Sequence, residues 1–468
     1  MGPPSGLTPV GAGAAPPQSV QALRRSKTRR NAMLKEGTMM RIVHEGTDAF
    51  ERERARLTSR GAADFEAVEA PVREVLGEVR REGDEAVRRM VERFESRKVA
   101  TLFSRDFDGA GALRRLAADV RAALETAALR IAAYHERQRT SGFRYEENGV
   151  RLGMRERPLG RVGVYAPGGK ARYPSSVLMS AIPARVAGVR DIILATPAPN
   201  DVLLAAAHLS GVTGLLDAGG AQAIGALAYG TATVPKVDKI VGPGNRYVAC
   251  AKRLVFGEVG IDGIAGPSEI LVLCDETAKP RWVAADLLSQ AEHDEVAYPL
   301  CVTTSAALAQ EIATEVEAQL ASLPRRAIAE ASVTNQGAIL VVSSRVAMAM
   351  LADEIGPEHL AIHVRDPEQM FDAVGAAGAA FVGPDTPEAA GDYLAGPSHV
   401  LPTGGAVRYG SPLGVYDFIA RTSYIQYTSE ALREHTKPIA AFARAEGLEA
   451  HARATEVRTG DADAKRTP

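Results

Sequence analysis

Two series of short apolar runs, each run followed by a helical stretch, constrain the fold of this chain more than any other feature. The first series follows Arg157, and its runs mostly end in glycine: GRVGVYAPGG, VRDIILATP, LLDAGG and VDKIVGPGN. Strands that alternate with helices predict mostly parallel sheets, which bind ligands at the loops beyond the carboxyl ends of their strands. The glycine-rich segments are therefore predicted to lie at such an edge.

The second series begins near Pro267 and forms another α/β unit of similar size. Its predicted strands are SEILVLCD, YPLCVTTS, AILVVSS, LAIHV and AAFVG, and its predicted helices are ADLLSQAEHD and VAMAMLADEI. No linker-like Ser/Gly tract separates the two series, so the two units are predicted to pack closely.

Length and composition set the class of protein. At 468 residues the chain is too long for one ordinary domain of ~100–200 residues. A net charge of −2 argues against a nucleic-acid or membrane-surface binder, and no apolar run approaches the ~20 residues of a membrane-spanning helix. The three cysteines, Cys250, Cys274 and Cys301, lack metal-ligand spacing and suit a reducing compartment, so the cytoplasm is predicted.

Three flanking regions differ from the α/β series. Residues 1–35 are rich in Gly, Pro and Arg, and proline and glycine favour a disordered extension or an upstream start codon over a transit peptide. From about Asp64 to Thr140, apolar residues recur at helical spacing and predict scaffold helices. A helical tail from about Ser429 needs a packing surface, which a partner subunit could provide.

The glycine-rich segments are candidate phosphate-binding loops. They are APGG (166–169), AGGAQ (218–222) and GPGN (242–245). Backbone amides and a helix N-terminus at such loops favour a negatively charged phosphate. None fits GxGxxG, because Tyr247 stands where the third glycine belongs. For each loop alone an ordinary turn is the better explanation, and the three together modestly favour a nucleotide.

A pool of histidines, acids and one glutamine could bind a metal. Its members are Gln290, His293, Glu358, His359, His363, Asp392, His399 and His451. Gln290 and His293, in LLSQAEHD, are three residues apart and are predicted on one face of a helix. Imidazole and carboxylate suit zinc, but glutamine is a poor ligand and a lone histidine is often structural.

The segment GPEHL places Glu358 beside His359, between a predicted helix and a predicted strand. The histidine could take a proton from an alcohol and the carboxylate could activate water. The pair is equally compatible with a helix-ending turn that carries two exposed polar residues. The cysteines adjoin neither a histidine nor a glycine-rich turn, so they are predicted to be core residues rather than nucleophiles.

Taken together and in order, the motifs resemble those of the histidinol dehydrogenase family, from about Arg41 to Val457. The motifs are GRVGVYAPGG, GGAQAIGALAYGT, KIVGPGN, AGPSEILV, LLSQAEH, GPEHL, EAAGDYLAGPSHVLPT and a final E-x4-H. The resemblance implies a zinc enzyme that oxidises L-histidinol to L-histidine through L-histidinaldehyde. It also implies two NAD per turnover and a place in the last steps of histidine biosynthesis.

The resemblance also assigns residues, and each position holds the residue type that the family motif requires. The implied metal ligands are Gln290, His293, Asp392 and His451. The implied catalytic residues are Glu358 and His359. The implied NAD contacts are Tyr165, Gln222 and Asn245. The implied substrate contacts are Ser268, Gln290, His293, Glu358, His359, Asp392, Glu446 and His451.

The predicted fold is α/β, with two Rossmann-like, incomplete doubly wound domains and small helical segments at both ends. The predicted boundaries are 1–35 (extension), 36–60 (N-terminal helical segment), 61–164 with 268–413 (metal and catalytic domain), 165–267 (NAD-binding domain), 414–458 (C-terminal segment) and 459–468 (disordered tail). The resemblance further implies a domain-swapped homodimer, in which Glu446 and His451 enter the partner's active site.

Three other functions remain open at this stage. A related zinc-dependent NAD alcohol dehydrogenase would act on another primary alcohol, such as a sulfonated diol. The spacing of Glu446 and His451 favours histidinol over that substrate. A zinc hydrolase would need neither NAD nor the glycine loops, and a catalytically silent binding protein would have lost site residues.

Overall fold

The computed structural model describes residues 39–60, 65–168 and 173–460. The predicted extension 1–35 and the last residues of the predicted tail, 461–468, lie outside this part of the chain. No helix of the described part combines the length and the apolar character that a membrane crossing requires.

The described part contains strands and helices in alternation through most of its length. The strands β1 to β15 are Arg41–His44, Phe103–Ser104, Phe143–Glu147, Val150–Pro158, Arg161–Tyr165, Asp191–Ala195, Gly214–Leu216, Lys239–Val241, Gly260–Ile261, Glu269–Cys274, Tyr298–Thr303, Ala338–Val341, His359–His363, Ala379–Val382 and Ile419–Tyr427. The α-helices α1 to α17 are Asp48–Thr58, Glu66–Glu82, Asp84–Glu95, Gly109–Arg115, Ala118–Glu136, Pro174–Val186, Asp201–Ser210, Gly220–Tyr229, Arg246–Val255, Pro280–Ala291, Ala306–Leu320, Arg326–Asn335, Arg345–Ile355, Pro367–Ala373, Glu388–Tyr393, Ser429–Ala445 and Glu449–Thr459. Short 3-10 helices lie at Ala406–Arg408 and Val415–Phe418.

The first sheet is parallel, in the order β1-β12-β11-β10-β13-β14. Alternate side chains of β10 enter two different cores, because successive residues of a strand point to opposite faces. Ile270 and Val272 pack with α10, α11 and α12, whereas Leu271 and Leu273 pack with α1, α13 and α14. Burial on both faces explains why this strand is a continuous apolar run in the sequence.

The second sheet has the order β2-β7-β6-β5-β8-β9, with β2 antiparallel to β7 and the other pairs parallel. Helices α2, α3, α8 and α9 cover one face, and α5, α6 and α7 cover the other. The strands β5 to β9 follow the same relative order as β10 to β14 in the first sheet. The predicted pair of α/β units with parallel sheets is therefore confirmed.

The sheet topology corrects the predicted domain boundaries. Residues 61–164 were grouped with 268–413, but β2 and β5 belong to the second sheet and α2 packs its apolar side against the same core. The segment 36–60 is not a separate helical unit, since β1 forms an edge of the first sheet and Phe50 and Leu57 enter its core. The second unit is thus an insertion between the two parts of the first.

A third, antiparallel sheet connects the tail to the body of the protein. Its order is β15-β4-β3, and β15 pairs with β4 from Ile419 opposite Pro158 to Tyr427 opposite Val150. After it, α16 and α17 pack together through a small cluster of Ala440, Ala443 and Ala452. Large apolar side chains of this region are exposed; they include Phe143, Tyr145, Ile425, Phe442, Leu448 and Val457.

Candidate active site

The acid and imidazole of GPEHL lie at the amino end of β13, beside the amino end of its neighbour β10. Helix α13 ends at Ile355, and Gly356, with a φ of +57°, turns the chain into β13. Glu358 and His359 are only 7% and 5% exposed. The predicted position between a helix and a strand is confirmed, and the alternative of two exposed polar residues is wrong.

A backbone hydrogen bond determines which nitrogen of His359 can act as a base. Its Nδ1 lies 2.9 Å from the carbonyl oxygen of Glu269, the first residue of β10, so Nδ1 carries the proton and donates. The buried Nε2 has no hydrogen-bond partner among the described residues. Burial lowers the pKa of His359 to about 4, because a charged ring is poorly solvated there. The ring is therefore neutral, and Nε2 can accept a proton.

Glu358 is held by the same backbone segment. Its Oε2 accepts a hydrogen bond of 2.9 Å from the backbone N–H of Glu269, and it lies 3.6 Å from Nδ1 of His359. Burial, together with the charges of Glu269, Glu388 and Asp392, raises the pKa of Glu358 well above its usual range. A carboxylate with a raised pKa is a stronger base towards water than an ordinary glutamate.

Gln290, at the end of α10, is fixed by two neighbours. The neighbouring groups assign the orientation of its amide: with the nitrogen turned to the side chain of Glu388, the carbonyl oxygen accepts from the backbone N–H of Glu269 at 3.1 Å. Glu388 is 2% exposed, accepts from the Ser289 hydroxyl at 3.1 Å and lies 3.5 Å from Nδ1 of His359. Burial, followed by the charge of Asp392, raises the pKa of Glu388 well above its usual range.

Sequence reasoning missed Glu388. A signal was present, because Glu388 and Asp392 are four residues apart and share a face of the short helix α15. The motif EAAGDYLAGPSHVLPT contained both residues, but only the second was assigned a role.

Glu269 and Arg60 were also missed. Glu269 contacts three site residues through its backbone, and its side chain forms a buried ion pair with Arg60, with N–O distances of 2.9 and 2.7 Å. The backbone N–H of Gly404 adds a third hydrogen bond of 2.9 Å to this carboxylate. The sequence offers no signal for this arrangement, because the two residues are 209 positions apart and the contacts to the site use main-chain atoms.

Imidazole and carboxylate groups around this centre are suited to a metal ion. One ligand atom each from His359, Glu388 and Asp392 lies within 4.8 Å of the others. His399 Nδ1 lies 3.7 Å from Oδ1 of Asp392, and His293 is close enough to contribute to the lowered pKa of His359. Nitrogen and oxygen donors of these kinds fit zinc.

The four predicted metal ligands are not all brought together. Gln290, His293 and Asp392 border the buried cluster. His293 does not share a helix with Gln290 as predicted, since α10 ends at Ala291 and the backbone N–H of His293 donates to the Gln290 carbonyl in the following turn. His451 is exposed on α17, and Glu446 is exposed just after α16, so neither belongs to the buried cluster.

Ser268 and His363, two further candidates from the sequence, lie on either side of the distinction between site and core. Ser268 is half-buried directly before β10, and its carbonyl oxygen accepts from the backbone N–H of Tyr298 at 2.9 Å. His363, at the other end of β13, is buried with its Nε2 3.0 Å from Oδ2 of Asp286. Ser268 is therefore placed near the site, whereas His363 belongs to the core.

The predicted glycine loops lie at the carboxyl ends of β7 and β8, next to the end of β5 at Tyr165, as predicted. The hydroxyl of Tyr165 accepts from the backbone N–H of Gly220 at 3.1 Å, and burial raises its pKa to about 12. Gln222 donates to Glu95 at 3.4 Å. Asn245 is exposed and caps α9 with its side-chain oxygen. The end of APGG, residue 169, lies outside the described residues.

Gly242 in the GPGN loop is required by close packing. Its φ is +111°, and a Cβ atom there would lie 2.1 Å from the carbonyl oxygen of Tyr165. Its backbone N–H donates to Asp262 at 2.7 Å, and its carbonyl accepts from the buried amine of Lys252 at 3.0 Å. Lys252 and Asp262 also form a buried ion pair with each other, which fixes both hydrogen-bond partners of the Gly242 backbone.

The two candidate sites adjoin each other. Ser176, near the start of α6 in the second unit, has its hydroxyl 3.3 Å from Nε2 of His399. Ser398 donates to the carbonyl of Met179 on the same helix at 3.2 Å. The amino edge of the first sheet therefore lies near the carboxyl edge of the second.

The cysteines take no part in this region. Cys250, Cys274 and Cys301 are fully buried, which confirms their prediction as core residues. Burial raises the pKa of Cys250, and the neighbouring Cys274 together with burial raises that of Cys301. Raised pKa values disfavour the thiolate that a nucleophile needs.

Fold and site together define an α/β enzyme with a buried acid–base pair beside a set of metal-type ligands. The family model described as Histidinol dehydrogenase matches residues 58–459. The chain therefore belongs to the histidinol dehydrogenase family, whose members are oxidoreductases.

Individual relatives agree with this assignment. Histidinol dehydrogenase of Dechloromonas aromatica is 49% identical over 405 residues, which cover 85% of this chain and 94% of the relative. That of Aquifex aeolicus is 49% identical over 86% of this chain and 96% of its own length. The crystal structure of histidinol dehydrogenase from Elizabethkingia anophelis is similar with a TM-score of 0.84 at 34% identity, covering 92% of this chain and 100% of that chain.

Proposed function

We propose that this protein oxidises L-histidinol to L-histidine through L-histidinaldehyde, in the last steps of histidine biosynthesis. The proposal includes one zinc ion per subunit and two NAD per turnover. The observation that carries it is the neutral, buried His359, whose Nε2 is available as a base in the same cluster as Glu388 and Asp392. Family membership supports the choice of substrate and does not favour another primary alcohol, such as a sulfonated diol.

The donor set fits the implied zinc ion. Gln290, His293 and Asp392 would hold it, with His451 of a second subunit as the fourth ligand. Bound zinc would supply a Lewis acid that anchors and orients the amine and imidazole of histidinol. Substrate contacts would further involve Ser268 and Glu446.

Tyr165, Gln222 and Asn245 would contact NAD, which supplies the hydride acceptor. Their place at the carboxyl edge of a parallel sheet supports this, because doubly wound sheets bind nucleotides there. The strand order common to both sheets likewise supports the Rossmann-like character of the two units.

His359 performs the first proton transfer in this proposal. Its Nε2 takes the hydroxyl proton of histidinol while the carbon-bound hydride leaves for the nicotinamide. The hydrogen bond from Nδ1 to the Glu269 carbonyl stabilises the charged ring that results. The products of this step are the aldehyde, one NADH and a proton held by His359.

Glu358 serves the second oxidation. Its carboxylate takes a proton from water as the water oxygen adds to the aldehyde carbon, and His359 gives its proton to the aldehyde oxygen, which forms the gem-diol and leaves His359 neutral again. A second hydride then leaves that carbon, and a hydroxyl proton passes to His359, which gives the carboxylic acid and a second NADH. The burial of both residues limits the escape of the reactive aldehyde. No cysteine adduct is needed.

We infer a homodimer with exchanged C-terminal segments, so that Glu446 and His451 reach the partner's site. The exposure of both residues supports this, as do the exposed apolar side chains Phe442, Leu448 and Val457 on the same segment. Sparse cysteines without metal-ligand spacing support a cytoplasmic location.

The deciding experiment counts NADH formed per histidinol consumed, with purified zinc-loaded protein at alkaline pH. Two NADH per histidinol are expected, lost with a chelator and regained with zinc. One NADH per histidinol would show that oxidation stops at the aldehyde. No NADH from zinc-bound protein would overturn the choice of substrate, and a panel of other primary alcohols would follow.

A further inference from the structure

Glu388 is a buried carboxylate whose contacts are unusual for a structural residue. It is 2% exposed, and no lysine or arginine of the described residues forms an ion pair with it. Its neighbours are the Ser289 hydroxyl, the Gln290 amide nitrogen and Nδ1 of His359. Burying a carboxylate without a cationic partner is costly, so its retention at this position indicates a role in the site.

The contact with Gln290 has a direct consequence for metal binding. With a cation bound nearby, Glu388 is held as a carboxylate, which only accepts hydrogen bonds, so it selects the nitrogen of the Gln290 amide and turns the carbonyl oxygen the other way. In this orientation the oxygen accepts one hydrogen bond, from the backbone N–H of Glu269 at 3.1 Å. A carbonyl oxygen has two lone pairs, so a second one is left for a cation. The amide nitrogen, by contrast, has no lone pair suited to a metal.

We propose that Glu388 is a positioning residue that fixes the Gln290 amide so that its oxygen faces the metal ion. The inference deepens the proposed function, because it requires that a divalent cation binds at this cluster. Without the carboxylate the amide can rotate, and glutamine, already a weak ligand, is presented correctly only part of the time. Outer-shell partners of this kind typically change metal affinity ~10–100-fold.

The test is a double-mutant cycle on zinc affinity, measured by competition with a chromogenic chelator and without histidinol or NAD. Glu388→Gln is expected to weaken zinc binding ~10–100-fold, since a second amide imposes no single orientation. In a Gln290→Ala background the same substitution is expected to have little further effect. Ser289→Ala, which removes the other hydrogen bond to Glu388, is the matched control and is expected to retain most of the zinc affinity.

The outcomes are distinguishable. Additive losses in the cycle would show that Glu388 acts on the ion by itself, and unchanged affinity in Glu388→Gln would show that it has no role; either result overturns the proposal. Failure of the unchanged protein to bind zinc would instead overturn the proposed function. Thermal unfolding reports the folding of each variant, and Glu388→Asp, which keeps the charge but shortens the side chain, replaces Glu388→Gln in the cycle if the latter does not fold.

Discussion

The carbonyl oxygen of Glu269 decides which ring nitrogen of His359 reacts. We expect His359→Asn to reduce kcat by ~10²–10⁴, the usual contribution of a general base, with zinc content unchanged. Steady-state kinetics and metal analysis of the purified variant measure both quantities. The same substitution at His363, on the same strand but in the core, is the control, and it is expected to lower the melting temperature without a comparable loss of kcat.

An equal loss of zinc in His359→Asn would assign His359 to the metal instead. Metal binding by His359 is geometrically feasible, because a ring nitrogen of His359 lies within 4.8 Å of carboxylate oxygens of Glu388 and Asp392.

Single residues were predictable where the side chain itself carries the chemistry. Glu358 and His359 were recognisable as a candidate acid–base pair, and the family resemblance gave them their catalytic roles. Glu269 could not be predicted, since it acts through its backbone N–H and C=O groups, which every residue has. Glu388 was within reach through its helical spacing from Asp392, but the chemistry of a buried acid depends on burial, which short motifs do not reveal.

Among the structural elements, the GPGN loop combines a left-handed backbone with a close contact. Gly242→Ala is expected to raise the KM for NAD at least ~10-fold, because a Cβ atom would press on the Tyr165 carbonyl at 2.1 Å and displace the loop. Gly257→Ala is the matched control, because its φ of +104° is similar but a Cβ atom there meets nothing within 4 Å. Both substitutions are expected to cost ~1–3 kcal/mol of stability from backbone strain.

Equal KM values for NAD in the two variants would show that the loop does not bind the nucleotide. Initial rates at saturating histidinol and varied NAD provide the measurement, and denaturant unfolding provides the stability comparison.

The type of each element was predictable from the sequence. The sheet edge at which a site lies was predictable for the glycine loops but not for the acid–base cluster. Runs such as EILVLC identified strands, because a strand buried on both faces is apolar throughout. The glycine loops were placed correctly at carboxyl ends. The acid–base cluster lies instead at the amino ends of β10 and β13, and motif spacing does not reveal this. The exact end of α10 was also missed, since LLSQAEHD continues the helical pattern past Ala291.

At the scale of the whole molecule, the exposed tail predicts that active sites are shared between subunits. His451→Asn is expected to weaken zinc binding and to lower activity. A mixed dimer of one His451→Asn subunit and one His359→Asn subunit is expected to regain activity, because exchange of tails leaves one of its two sites with both native residues. Differently tagged subunits, co-expressed and purified through both tags, allow the measurement.

Purified homodimers of each variant serve as the reference for that experiment. Absence of rescue in a proven mixed dimer would argue against the exchanged segment and would require His451 to act within its own subunit or not at all.

The unit boundaries show where prediction from the sequence fails at this scale. Helices such as α2 and α5 have apolar residues at helical spacing, but this pattern does not indicate which of the two sheets each helix covers. Likewise β1 is too short to be recognised as the edge of a sheet whose other strands begin more than two hundred residues later.

The insertion of residues 65–267 into the first unit also sets the order in which the protein can form during synthesis. All strands of the second sheet are in the nascent chain before β10 is made, and domains generally fold as units as they emerge, although Leu413, Val415 and Phe418 join one of its cores later. The segment with β1, α1 and Arg60 must wait, since Arg60 meets Glu269 only after 209 further residues. The cluster of Glu358 and His359 is therefore assembled late, so a nascent chain that stalls before that point contains the strands of the second sheet without the acid–base pair.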